Sequence, residues 1–208
     1  MKKLTFFTFI FSIFLLSGCQ EDDSNQNFDY FISGKINGDS FNFGLNLNDE
    51  YADYVVVDSY YGGGSPNGCD ITYAPGIYPS YDESLAEFDI EFNNFYIGNC
   101  DDEQTSLNSD TFAVGTYQIG GTAGKVNLIY LPNADEDVVY LSDIGAQSNA
   151  SFKITSSRQV NQMIFQYVYY MQEIEGTFSA RLYNSDDVSD YIDVTNGKFR
   201  LLVSAYNN

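Results

Sequence analysis

The sequence predicts an all-β protein, an antiparallel β-sandwich of about ten strands, with an open barrel as the alternative architecture. Three observations lead to this prediction. Short segments rich in Tyr, Phe, Val, Ile and Thr follow one another from residue 28 onward, and these residues are favoured in strands. Gly, Asn and Asp separate the segments at short intervals, as tight turns require. No long stretch has the 3.6-residue periodicity of an amphipathic helix.

The first two strands are predicted from alternating apolar residues on either side of Asn37-Gly38. The alternation covers residues 30–36 and resumes over 41–47. Asn-Gly favours a two-residue turn, because both residues accept positive φ, so we expect a β-hairpin. The stretch 163–174 is apolar on both faces, which predicts a central strand. The other strands are expected at 54–60, 85–97, 111–119, 125–131, 138–141, 151–155, 176–183 and 196–204.

The chain begins with the parts of a secretory signal peptide. Lys2 and Lys3 precede an apolar run over residues 4–16, which is followed by Ser17-Gly18-Cys19. The run is too short to span a bilayer as a helix. The ending LLSGC resembles the lipobox of bacterial lipoproteins, which implies cleavage before Cys19 and lipidation of its thiol. We therefore expect a cleaved signal at 1–18, a lipidated tether at 19–27 and one β-sandwich domain at 28–208.

The acidic tether predicts a location. Gln20 directly follows the cysteine, and the acidic run Glu21-Asp22-Asp23 comes next. An acidic run at this position resembles the export signal of surface lipoproteins in Bacteroidota. This resemblance implies a lipid-anchored protein of the outer membrane, displayed at the cell surface. The alternative is that this segment is a plain solvated linker. In that case the sequence does not decide between the periplasmic and the surface-facing leaflet.

Two motifs in the last third carry a further resemblance. Gly176-Thr177-Phe178 and the segment 194–199, VTNGKF, resemble paired strands of small Bacteroidota lipoproteins of the β-sandwich type. The resemblance implies a fold and a location, and it implies no activity.

The charge of the chain excludes one class of partner. Of nine basic residues, Lys2 and Lys3 leave with the signal, so seven remain against 29 acidic residues, a net charge of −22. Such a surface repels nucleic acid and anionic headgroups. We therefore expect the protein to reach the membrane through its lipid alone and to bind no nucleic acid.

With Cys19 lipidated, Cys69 and Cys100 remain, and we expect them to form a disulfide in an oxidising compartment. The alternative, a catalytic thiol, would require a histidine partner, and the chain contains no histidine.

The strand Glu87-Phe88-Asp89-Ile90-Glu91 is the one catalytic candidate. It resembles the E-x-D-x-E motif of the laminarinase and lichenase family of retaining glycoside hydrolases. That resemblance implies Glu87 as nucleophile, Asp89 as its modulator and Glu91 as acid/base. The chain lacks the tryptophans and the glycine-containing continuation of that family, and an outward acidic face of a strand accounts for the alternation without catalysis.

Two further candidates are ligand sites. Asp186, Asp187 and Asp190 could supply oxygen ligands to calcium, although solvated turn residues are the simpler interpretation. Exposed tyrosines could stack on sugar rings, and the candidates are Tyr60, Tyr61, Tyr78 and Tyr81.

The sequence thus predicts a lipid-anchored extracytoplasmic module with a binding or structural role, no cofactor and no catalysis. A glycan or an envelope protein is the expected partner. A surface glycan-binding lipoprotein and a small retaining glycosidase are the two alternatives.

Overall fold

The computed structural model describes residues 28–46, 57–65, 68–77, 86–98, 111–133, 137–164 and 167–204. These residues contain eleven strands and no helix. The strands are β1 (Tyr30–Ile36), β2 (Asp39–Leu45), β3 (Val57–Ser65), β4 (Gly68–Ile77), β5 (Glu87–Gly98), β6 (Gly115–Tyr117), β7 (Val126–Leu131), β8 (Tyr140–Leu141), β9 (Ser151–Ile164), β10 (Tyr167–Asn184) and β11 (Tyr191–Ser204).

The all-β, antiparallel prediction is confirmed. The strands form one hydrogen-bonded sheet in the order β2-β1-β11-β10-β8-β7-β5-β4-β3, and β9 pairs with both β10 and β6. Every strand-to-strand pairing is antiparallel. The sheet curls over its own inner face as a half-barrel, which is the arrangement of an open barrel. Register shifts in five of the pairings mark β-bulges and irregularities, and bulges increase the twist and bend of a strand.

The β1–β2 connection is the predicted hairpin. Ile36 pairs with Asp39, and the two residues between them have φ values of 51° for Asn37 and 98° for Gly38. Positive φ at both positions defines a type I′ turn, whose twist matches that of the flanking strands. The Asn37-Gly38 dipeptide therefore sets the register of the first two strands.

A cluster of phenylalanines fills the curl of the sheet. Phe88 of β5 lies 5.5 Å from Phe178 of β10 between ring centroids, and Phe92 lies 5.8 Å from Phe152 of β9. All four side chains are buried. Strand β5 pairs with neither β9 nor β10, so these contacts cross the interior and hold the two halves of the sheet together.

The two C-terminal motifs lie opposite each other, as expected. Thr177 pairs with Lys198 and Phe178 pairs with Gly197. Asn196 has a φ of 54°, and β11 carries one extra residue here relative to both β1 and β10. A Cβ on Gly197 would lie 2.6 Å from the Phe178 ring. The Asn-Gly of the second motif therefore makes a bulge that lets this ring pack onto the backbone.

The prediction of one central strand over 163–174 is wrong. Ile164 ends β9, Tyr167 begins β10, and the two residues pair with each other, so the chain reverses direction between them. The connecting residues are Phe165 and Gln166, which carry no turn signal, and apolar residues continue on both sides. The expected break between Ile174 and Gly176 is also wrong, because β10 runs unbroken through both residues.

Candidate functional site

The acidic strand β5 has the alternation that the sequence predicts. Phe88, Ile90 and Phe92 are fully buried, whereas Glu87, Asp89 and Glu91 are partly exposed on the opposite face. Residues 87–92 pair with β7 without a register shift. A regular strand rises about 3.3 Å per residue, so the Cα atoms of Glu87 and Glu91 are about 13 Å apart.

Glu91 belongs to a chain of hydrogen bonds that runs into the interior. Asn127 Nδ2 donates to Glu91 Oε2 at 3.3 Å, and Ser142 Oγ donates to Asn127 Oδ1 at 2.8 Å. Ser142 Oγ also accepts from the Leu128 amide at 2.8 Å. Asn127 and Ser142 are buried. Burial raises the pKa of Glu91, and the Asn127 hydrogen bond opposes this. Buried polar groups need such partners, so these hydrogen bonds connect β5 and β7 to Ser142, the residue that follows β8.

The predicted calcium ligands Asp186, Asp187 and Asp190 lie in the β10–β11 turn, and the carboxylates of Asp187 and Asp190 accept hydrogen bonds there. Asp187 Oδ1 accepts from the Ser189 amide at 2.9 Å and from its hydroxyl at 2.6 Å. These bonds lower the pKa of Asp187. Asp190 Oδ2 accepts from Tyr140 Oη and from Asn184 Nδ2. Aspartates that accept such local bonds stabilise turns. Among the described residues, no group of three or more acidic, cysteine or histidine residues could hold a metal ion.

Several predicted residues fall outside what the structure describes. Cys19, Tyr78, Tyr81 and Cys100 lie outside the described residues. Tyr60 and Tyr61 lie in β3, an edge strand, and only their backbone is described. The glycan-binding prediction for these four tyrosines stays a prediction.

Of the two cysteines of the predicted disulfide, only Cys69 lies in the described region. Cys69 in β4 pairs with Gly98 in β5, two residues before Cys100. Two extended residues span at most about 7 Å, so this register is compatible with the bond. Only the backbone of Cys69 is described, and Cys100 lies outside the described residues, so the Cys69–Cys100 bond stays a prediction.

A second surface, which the sequence analysis did not single out, collects most of the cations. It is the outward side of β9, β10, β11 and β1. Lys153 of β9 and Lys198 of β11 both pair with Thr177 of β10, and Lys198 pairs in turn with Ser33 of β1. Lys35 follows two residues further along β1. The lysines and Thr177 are exposed, and we call this surface the lysine face.

The arginines of the same outward side differ from the lysines in being paired. Arg158 Nε lies 2.7 Å from Glu173 Oε1, and Arg200 Nη2 lies 2.8 Å from Glu175 Oε1. Among the described residues, no carboxylate forms an ion pair with Lys35, Lys153 or Lys198. Within the described part of the chain, the three lysine charges thus differ from those of the arginines in having no carboxylate partner.

A shallow cavity borders the lysine face. It has a volume of about 260 Å³ and lies between residues 147–150 and the outward side of β10 and β11. Arg181 at its wall donates to both oxygens of Asp193, at 2.8 and 3.0 Å. Its guanidinium carbon also lies 3.9 Å from the ring centroid of Tyr191. Thr195, which lines the cavity, pairs with Lys35.

Tyr191 is the exposed tyrosine that the sequence analysis missed. Its side chain is 45% exposed, and it ends the row of outward residues along β11. Alternation with buried Ile192 and Val194 was a signal that could have found it, but the predicted strand began only at residue 196.

Comparison of the chain with protein-family models, with curated proteins and with solved structures found no match. The described residues include no helix that is long and apolar enough to cross a membrane. The fold and the two surfaces describe an all-β protein with an acidic strand and an exposed, lysine-bearing sheet face.

Proposed function

We propose that the protein is a lipid-anchored extracytoplasmic module of the outer membrane that binds a partner and catalyses no reaction. One observation carries the proposal. In a chain of net charge −20, three lysines without ionic partners among the described residues stand together on one exposed sheet face. Unpaired charges of one sign on a face steer oppositely charged partners toward it.

The acidic strand supports a structural role more than a catalytic one. Glu91 accepts a hydrogen bond from buried Asn127, which ties the carboxylate to the interior.

The anchoring part of the proposal rests on the lipobox resemblance at residues 15–19. Two or three acyl chains on Cys19 would hold the protein stably at a membrane, whereas one chain binds only marginally. A disulfide between Cys69 and Cys100 belongs to the same proposal, because it requires an oxidising compartment.

We expect Cys19→Ala to abolish incorporation of radiolabelled palmitate. The thiol is the proposed acceptor of the diacylglycerol group, and without it no acyl chain is attached. Cys100→Ala is the matched control and should keep the full label. Undiminished label on the Cys19→Ala protein would contradict the anchoring proposal.

Binding at the lysine face is tested by covalent labelling of amines. The protein is treated with an acetylating reagent in isolated envelopes and, separately, after purification in a non-ionic detergent. Mass spectrometry then gives the acetylation rate of each lysine. We expect Lys153 and Lys198 to react severalfold more slowly in envelopes, because a bound partner would cover them.

Lys125, which is partly buried outside the lysine face, is the internal reference for this experiment. Equal ratios of Lys153 and Lys198 to Lys125 in envelopes and in purified protein would refute the proposed binding function at this face.

A further inference from the structure

We infer that the lysine face binds an extended acidic polysaccharide, whose carboxylates pair with Lys35, Lys153 and Lys198. This inference rests on the proposed binding function and names the chemical class of the partner.

The register fixes the geometry of the charges. Lys153 and Lys198 flank Thr177 on adjacent strands, so their Cα atoms are separated by two strand spacings, about 10 Å. Lys35 lies one strand and two residues from Lys198, about 8 Å away. A polysaccharide with one carboxylate in every one or two sugars carries charges at comparable intervals.

The side chains between the lysines are small and polar. Across six strands, one row of paired residues runs through Thr116, Lys153, Thr177, Lys198, Ser33 and Asn42. Hydroxyl groups on both sides of each lysine suit a ligand that is itself rich in hydroxyl groups, because every sugar offers donors and acceptors along its length.

The composition of this row differs from that of a protein interface or of a lipid-binding surface. The core of a protein interface is enriched in aromatic residues, Met and Arg, and a surface that binds lipid inserts large apolar side chains. None of the six residues in this row is apolar. Charge and hydroxyl contacts are therefore what this row offers.

The net charge of the protein is compatible with this ligand. At physiological ionic strength the screening length is about 8 Å, so acidic groups on other faces contribute little at the lysines. The nearer carboxylates of Glu173, Glu175 and Asp193 each form an ion pair with an arginine. Double-stranded DNA carries a charge about every 1.7 Å along its axis, which three lysines cannot match. A sparsely charged polysaccharide requires no more cations than the face provides.

The test uses the full chain in non-ionic detergent and three probes: polygalacturonate, neutral dextran, and vesicles containing phosphatidylglycerol. We expect polygalacturonate alone to bind, with an affinity that falls as salt rises. The Lys153→Glu/Lys198→Glu variant should lose about tenfold or more, since two favourable contacts become repulsive. Lys125→Glu is the matched control and should change the affinity less than twofold.

Both variants alter exposed or partly exposed side chains, and an unchanged thermal melting curve checks that they fold. Equal binding of polygalacturonate by the wild type and the double variant would overturn the inference, and so would preferential binding of dextran or of vesicles. If polygalacturonate does not bind while the lysines are protected in envelopes, the acidic polysaccharide is wrong and the proposed function stands. If polygalacturonate does not bind and the lysines are not protected in envelopes, both the inference and the proposed binding function are wrong.

Discussion

Replacing Phe152 by alanine is expected to lower the free energy of unfolding by about 3 to 5 kcal/mol. Phe152 is fully buried, and its ring contacts Phe92 at 5.8 Å and Phe199 at 5.1 Å between centroids. Deleting it removes buried apolar surface and leaves a cavity that β5, β9 and β11 all line. Such a loss is a large part of the total stability of a domain.

Chemical denaturation followed by circular dichroism measures this change. Phe152→Leu retains most of the volume and should cost clearly less than Phe152→Ala. Val114→Ala is the surface control, because Val114 is 61% exposed, and it should change the stability by no more than about 0.5 kcal/mol. A Phe152→Ala protein as stable as the Val114→Ala protein would contradict the described core.

Replacing Gly176 by alanine is expected to destabilise the protein by about 1 to 3 kcal/mol or more. A Cβ at this position would lie 2.2 Å from the carbonyl oxygen of Lys153 and 2.4 Å from the Phe199 ring. The Lys153 carbonyl oxygen is a backbone atom of the paired strand β9, so removing this clash would require β9 and β10 to move apart. The glycine of the Gly176-Thr177-Phe178 motif is therefore a close-approach position.

Gly115→Ala is the matched control for this substitution. Gly115 also lies in a strand, and a Cβ there would meet only the Ala113 carbonyl oxygen, at 3.9 Å. We expect Gly115→Ala to leave the stability unchanged or to raise it slightly, because alanine restricts the unfolded chain. Equal destabilisation by both substitutions, measured by denaturant unfolding, would show that the close approach at Gly176 is not the cause.

Local patterns were sufficient for part of the fold. The type I′ hairpin at Asn37-Gly38 and the buried face of Phe88, Ile90 and Phe92 both follow from neighbours in the sequence. The turn between Ile164 and Tyr167 was missed because the residues there lack the Gly, Pro, Asn or Asp that mark a reversal of the chain. A hairpin between two apolar strands has the same alternation as one long strand.

For the acidic strand as well, the sequence predicted one property of the side chains and could not predict another. Alternation assigns Glu87, Asp89 and Glu91 to one side of their strand, and the structure agrees. What these carboxylates do depends on residues that are distant in sequence, such as Asn127. The resemblance to a glycosidase motif carried no information about that environment.

The sequence by itself determined that the chain is all-β, where its first hairpin turns, and which residues of β5 face inward. Each of these is encoded within a few consecutive residues, through turn preferences and the two-residue period of a strand. Only the tertiary structure decided that Lys35, Lys153 and Lys198 meet on one face. Alternation tells on which side of its own strand a residue lies, but strand order and register arise from contacts between distant segments.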